Sequence, residues 1–99
     1  MGISAKQKRY LKGQAHGRKA VVTIGSKGLG DGVMMEIEEA LTHHELLKIK
    51  LPASSRIERE RLLESICSVT GADLVQTIGH VGIIFRASDP SCFDLPDSG

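Results

Sequence analysis

The sequence contains no tryptophan and only three aromatic residues, Tyr10, Phe85 and Phe93. Flat side chains on which successive bases could stack are therefore scarce, and any recognition of nucleic acid has to lean on phosphate contacts and shape. Cysteine is almost as rare. Cys67 and Cys92 stand far apart and match no metal-binding or redox spacing, which makes a reducing, cytoplasmic setting the plain expectation. No apolar run approaches the roughly 20 residues that cross a bilayer. The opening MGISAKQKRYLKG is charged and lacks an apolar stretch behind it, so it does not read as a secretory signal. Lys6 stands where N-myristoylation after Gly2 would want serine or threonine.

The most informative absence is of acid. Residues 1–27 hold Lys6, Lys8, Arg9, Lys12, Arg18, Lys19 and Lys27 with no aspartate or glutamate, whereas residues 28–99 hold six cations and all twelve acids, a net of −6. The formal charge of +1 for the whole chain thus hides one basic end built to meet a polyanion. A solvated basic helix with no ligand is the bland alternative.

What is present describes one small domain. Ninety-nine residues, 40% hydrophobic and 25% charged, suffice for a single core and not for two. SAKQKRYLKGQAH reads as a first helix, with Ser4 as N-cap, Gly13 near the end, and Tyr10 and Leu11 as its apolar contacts. Ala20–Ile24 is a β-branched run that reads as a strand buried on both faces. Asp31 is placed to cap a second helix whose apolar face is Val33, Ile37, Ala40 and Leu41, ending around His43–His44–Glu45. LLKIKL then alternates, with Leu47, Ile49 and Leu51 on one side and Lys48 and Lys50 on the other, and Pro52 ends it.

Ser55 with Glu58 forms the sequence of a capping box before a third helix. Ile57, Leu62, Leu63, Ile66, Cys67 and Val69 are its expected buried side, and Gly71 is its expected left-handed cap. LVQTI and GIIFR, joined through Gly79–His80, read as a hairpin. From Ser88 the sequence loses periodicity, so residues 1–87 are expected to form the domain and 88–99 a flexible tail. The predicted fold is an α/β two-layer sandwich of order α-β-α-β-α-β-β with a mixed four-stranded sheet.

The stretch VVTIGSKGLGDG sets a glycine-rich loop directly after a strand. A P-loop would place lysine after its last glycine, but Asp31 and Gly32 follow Gly30, and a carboxylate there repels a nucleotide triphosphate. A dinucleotide fingerprint fails because Val33 stands at the third glycine position and LLKIKL carries no acid. What remains is Gly25-Ser26-Lys27-Gly28, a GxxG loop between strand and helix that can admit a sugar–phosphate backbone, with Lys27 at its tip. A tight turn and nothing more is the competing reading.

Taken in order, KQKRYLKGQAH, VVTIGSKGLGDGV, EIEEALTHHELLKIKL and VQTIGHVGIIFR resemble the YhbY-like family, the bacterial stand-alone form of the CRM (chloroplast RNA splicing and ribosome maturation) domain, over residues 4–86. The resemblance implies a fold like the C-terminal domain of translation initiation factor three with an added N-terminal helix. It also implies RNA binding and association with precursors of the large ribosomal subunit. By position, the implied RNA-binding residues are Lys6, Lys8, Arg9 and Lys12 of the first helix, His16 and Lys19 of the family's AHxxK stretch, Gly25, Ser26, Lys27 and Gly28 of the loop, and Lys48, Lys50 and Arg86 on strands. This chain departs from the family pattern at Ala20, where proline is usual, at Gly30-Asp31, where a threonine N-cap is usual, and at His80, where lysine is common.

Other reactive side chains fit structural roles. Adjacent His43 and His44 cannot both face one metal from a helix and read as helix-ending residues. Ser26 lacks an arguable base, and Cys67 reads as an inert thiol on an apolar face. The expected function is RNA binding in ribosome assembly, on large-subunit ribosomal RNA or a precursor particle. The protein is expected to be a monomer, without catalysis, cofactor, metal or membrane, and ribosomal proteins are conceivable partners. The alternative is a protein-interaction adaptor that uses the acidic outer faces of the second and third helices.

Overall fold

The computed structural model of the protein describes residues 3–88, 91 and 93–96. Its elements are α1 (Ala5–Ala15), β1 (Val22–Thr23), α2 (Asp31–His44), β2 (Leu46–Lys50), α3 (Arg56–Thr70), β3 (Asp73–Ile78) and β4 (Val81–Phe85). The order is the expected one. Ser4 opens α1 with a complete capping box: its hydroxyl accepts from the Gln7 N–H, and the Gln7 side chain accepts from the Ser4 N–H. Two of the donors left open at a helix start are thereby satisfied. The Ser55 hydroxyl accepts from the Glu58 N–H at 3.2 Å to start α3, and Gly71 ends it in the left-handed region at φ 76°.

The sheet runs β1-β2-β4-β3. β1 pairs parallel with β2, while β4 lies antiparallel to both β2 and β3. The two-residue turn Gly79–His80, with Gly79 at φ 53°, folds β4 back between its neighbours. α2 and α3 cover one face through Ile37, Leu41, Leu63 and Ile66, which meet Val22, Leu47, Ile49 and Ile84. This pair of layers is the predicted sandwich. α1 lies on the other face, where Leu11 and Ala15 meet Leu46, Val75, Ile83 and Phe85, as the resemblance to a fold with an added helix implies.

Several local expectations need correction. The strand expected over Ala20–Ile24 is two residues long, stands at the sheet edge, and is buried on one face only. Val22 and Ile24 are buried, but Val21 is 53% exposed and Thr23 is open, because α1 rests on β2 and β3. The N-cap of α2 is Gly30, which makes no side-chain cap bond, and Asp31 is the first helical residue; the carboxylate still sits near the positive end of the helix dipole. Ile57 and Val69 face solvent. Each is six residues from Leu63, about 120° round the helix from it, and Thr70 takes the inner position, its hydroxyl donating to the Ile66 carbonyl and accepting from the Ala72 N–H.

The segment expected as a tail touches the domain through its described residues. Asp89, Pro90, Cys92 and residues 97–99 lie outside the described part. The Ser88 N–H and the Ser91 hydroxyl both donate to the buried carboxylate of Glu45, at 3.1 and 2.6 Å. Glu45 is the C-cap of α2 and holds φ 61° and ψ −50°, a costly conformation for a side-chain-bearing residue that persists where its surroundings fix it. Phe93 and Leu95 pack on the α1 side of the sheet, and Gln7 Nε2 donates to the Pro96 carbonyl at 3.0 Å.

One glycine sets how closely the layers meet. A Cβ added at Gly82 in β4 would lie 2.5 Å from Leu63 Cδ2, so α3 rests on bare backbone there. Gly82→Ala should cost about 1–3 kcal/mol through overpacking, read as a lower urea midpoint at unchanged m. Combined with Leu63→Ala, the loss should fall short of the sum of the two single losses; strictly additive losses would contradict the contact.

Candidate nucleic-acid interface

Along β2, Leu47 and Ile49 point to the α2 and α3 layer, so Leu46, Lys48 and Lys50 point to the other face. α1 covers that face at Leu46 and leaves the β1 edge open. Val21, Thr23 and Lys50 are exposed, Lys48 is half-buried, and the register sets Thr23 beside Lys50. The result is an uncovered strip of sheet with lysines two residues apart, about 6.6 Å along the strand.

At one end of this strip lies a depression of about 280 Å³, lined by Ala15, Arg18, Lys19, Val21, His44, Leu46 and Lys48. Among the described residues three cations and a histidine line it, and no carboxylate does. Lys48 Nζ donates to the Arg18 carbonyl at 2.8 Å, and Arg18 Nε donates to the Gln14 carbonyl at 3.1 Å. The Arg18 guanidinium lies 5.2 Å from the centroid of Phe93, which meets Phe85 edge-on at 5.7 Å and 89°. A cation over a ring face is attracted by the ring quadrupole, so the C-terminal segment positions an arginine of the basic end. None of the three aromatic rings is fully exposed, which leaves no open stacking platform among them.

At the other end stands the glycine turn. The Gly28 N–H donates to the Gly25 carbonyl at 3.0 Å, and Gly28 holds φ 78°, so the turn itself requires glycine there. Gly25 has no such requirement: its φ is ordinary and an added Cβ would meet nothing within 4 Å. Its bareness keeps the outer surface of the turn open to an approaching backbone. Ser26 and Lys27 are exposed at the tip. Beside the turn a cleft of about 390 Å³ runs toward α3, with Ser26, Gly28, Ser54, Glu58 and Arg61 among its lining.

Lys6, Lys8, Arg9 and Lys12 are exposed on α1: Lys6 and Arg9 lie opposite buried Leu11 and Ala15, and Lys8 and Lys12 flank that stripe along one side. His16 is exposed as the C-cap, its N–H donating to the Lys12 carbonyl, and Lys19 is exposed just beyond. The structure therefore brings Lys19 and Lys48 together and sets Lys50 along the same open strip.

Arg86 stands apart. Buried Phe85 points toward α1, so Arg86 turns to the opposite face. There its guanidinium donates to Glu38 Oε2 at 2.9 Å, the Thr70 carbonyl at 2.8 Å and Thr42 Oγ1 at 3.3 Å. The structure thus sets it apart from Lys48 and Lys50, and there it ties α2 to the end of α3. The sequence reading also passed over two residues of the depression, Arg18 and His44. Arg18 was visible in the acid-free block, whereas nothing local marks His44 as facing the first helix.

Among the described residues no group of three histidine, cysteine, aspartate or glutamate side chains is placed to hold a metal. The Cys67 thiol is pushed above its ordinary value by burial first and by the nearby Asp73 carboxylate second. That shift lowers the thiolate fraction at neutral pH and weakens the residue as a nucleophile.

Residues 3–86 match the CRS1/YhbY (CRM) domain. The chain belongs to the CRM family. It is 44% identical over 94 residues to an RNA-binding protein of Haemophilus influenzae, covering 95% of each chain. It is 38% identical over 86 residues to the Probable RNA-binding protein PA4753 of Pseudomonas aeruginosa, covering 87% of this chain and 83% of that one. The solution structure of the hypothetical protein SAV1595 from Staphylococcus aureus superposes with a TM-score of 0.84 at 30% identity, covering 95% of this chain and 99% of that one. The CRM match includes the glycine turn, the open strip and Arg86, and ends just before the C-terminal segment that carries Phe93.

The two kinds of cation should separate by stability. Arg86→Ala removes charge-assisted bonds and should cost about 1.5–3 kcal/mol, while Lys27→Ala and Lys50→Ala should stay within about 0.5 kcal/mol of wild type, all read by urea unfolding. Equal losses at the three positions would refute the structural role of Arg86. Alkylation of Cys67, followed by peptide mass spectrometry, should be slower than that of free cysteine at neutral pH and accelerate only at more alkaline pH. Asp73→Asn should speed it, and a neutral-pH rate equal to that of free cysteine would contradict the assigned environment.

Proposed function

We propose that the protein binds RNA with the uncovered β1–β2 strip, the α1 cations and the Gly25–Gly28 turn, and that it does so on large-subunit ribosomal RNA or a precursor particle during ribosome assembly. The observation that carries this reading is the depression where Arg18, Lys19 and Lys48 converge with no carboxylate among the described lining residues, continued by Lys50 toward the bare turn. The names of the Haemophilus and Pseudomonas relatives support RNA as the ligand class, and the family resemblance supports the ribosomal setting. Phosphate oxygens would be held by the lysines and Arg18, while Gly25 lets the sugar–phosphate chain approach the turn closely. With no open aromatic platform, base identity contributes little. The protein works as a binder in the cytoplasm, as a monomer and without a chemical step of its own.

The test is fluorescence anisotropy with fragments of large-subunit ribosomal RNA over a salt series, with duplex DNA as control. Affinity should fall steeply with salt, and each of Lys27→Ala and Lys50→Ala should flatten the logarithmic slope by about 0.7 for a single-stranded contact. The Lys12→Glu, Lys27→Glu double variant should lose most of its affinity while remaining folded. Salt-insensitive binding, or binding equal in wild type and the double variant, would overturn the reading.

A further inference from the structure

The side of the molecule turned away from the cationic strip carries a surface that RNA binding leaves unused. Between α2 and the last turn of α3 lies a groove of about 280 Å³, lined by Met34, Met35, Glu38, Glu39 and Val69. Met35 is 65% exposed and Val69 is 70% exposed, the two highest values among the described large hydrophobic residues. The fold supplies no reason for the pair, because Val69 lies off the buried stripe of α3 and Met35 lies outside the buried set of α2. Two large apolar side chains held next to each other in water on neighbouring helices mark a place for burial against something else.

The charge on the α2 wall has one sign, while the depression on the far side of Val69 is lined by both Arg61 and Glu64. α2 carries Asp31, Glu36, Glu38 and Glu39 with no lysine or arginine. The final residues of α3, SICSVT, are uncharged, and its arginines all fall in the N-terminal half. Arg86 is the cation tied to this region, and its guanidinium is taken up by Glu38 and the Thr70 carbonyl. Glu36 and Glu39 are exposed, and among the described residues neither has an ion-pair partner. Glu39 at the groove edge, with Glu36 further round α2, sets a negative field on that wall, which repels RNA and repels a second copy of the same patch. It complements a cationic polypeptide.

We propose that this groove docks a basic protein segment that inserts an apolar side chain between lysines or arginines. The flexible thioethers of Met34 and Met35 can reshape around the inserted group, Val69 forms the opposite wall, Glu39 at the groove edge aligns a flanking cation, and Glu36 further round α2 adds to the steering field. Together with the strip on the other face, this makes a bifacial molecule, with a polyanion on one side of the sheet and a polycation on the other.

The test uses the full chain with methyl-labelled methionine and a synthetic helix-forming peptide that has leucines along one face and lysines along the other. A peptide with glutamate in place of lysine is the control. The lysine peptide should shift the Met34 and Met35 methyls and the Val69 amide saturably, and the glutamate peptide should not. Met35→Ser with Val69→Ser should weaken peptide binding by roughly tenfold or more. Glu36→Gln with Glu39→Gln should weaken it several-fold and reduce its salt dependence, and both variants should keep wild-type RNA affinity. Equal binding of the two peptides, insensitivity to both pairs of substitutions, shifts at Met35 on adding RNA, or concentration-dependent shifts at Met35 without peptide would each overturn the proposal, the last in favour of self-association.

Discussion

Successive side chains of a β-strand leave it on opposite faces, and β2 uses that constraint to divide the molecule. Leu47 and Ile49 enter the layer formed with α2 and α3, while Leu46, Lys48 and Lys50 face the side that α1 partly covers. A slip of one residue would drive two ammonium groups into the dry layer, where an unpaired charge costs several kcal/mol, and would strand two large aliphatic side chains in water. The pairing that places Leu47 opposite Ile84 and Ile49 opposite Gly82 is therefore held by burial. It also brings Gly82 beneath Leu63, so the seating of α3 depends on the same register.

From that division follows the separation of charge. The acid-free end of the chain forms α1 and the turn beyond it, and α1 lies on the lysine face of β2. The acids of α2 fall on the opposite side, where Arg86 is held by Glu38. A chain of nearly neutral total charge thereby presents a concentrated cationic field over one region, which is what steers a polyanion to a surface. The Gly25–Gly28 turn, with Gly25 bare and exposed, stands at the end of the same strip. The C-terminal segment adds rigidity at the other end, because Phe93 holds Arg18 over its ring while Glu45 anchors Ser88 and Ser91. This contribution lies beyond the part of the chain that matches the CRM domain.

What could be read from the sequence was decided by local chemistry. The starts of α1 and α3 were legible because Ser4 and Ser55 satisfy helix N–H groups within one turn. The end of α3 and the final hairpin were legible because Gly71 and Gly79 take positive φ. The alternation of LLKIKL was visible as well. Features that depend on the partner of an element were not. A run such as Val21–Ile24 reads the same whether one face or both are covered, and only the position of α1 decides it. Ile57 and Val69 fit an apolar face of α3 until the stripe actually buried proves to be Leu63, Ile66 and Thr70. Arg86 follows Phe85 by simple alternation, but which face lies toward α1 is a property of the assembled sheet. The hold of Glu45 on the C-terminal segment joins residues more than forty positions apart, with no periodic signal to announce it.

In the proposed binding mode the lysine face of β2 and the turn that follows β1 meet RNA, while the helix layer behind the sheet does not. Mapping backbone amide shifts by NMR, as a ribosomal RNA fragment is titrated into the labelled protein, tests it most directly. The largest changes should fall at Arg18 and Lys19, from Val21 through Gly28, and at Lys48 and Lys50, with Met34 to Glu39 and Val69 unmoved. Changes concentrated on the outer faces of α2 and α3, with the β1–β2 strip and the glycine turn silent, would contradict it.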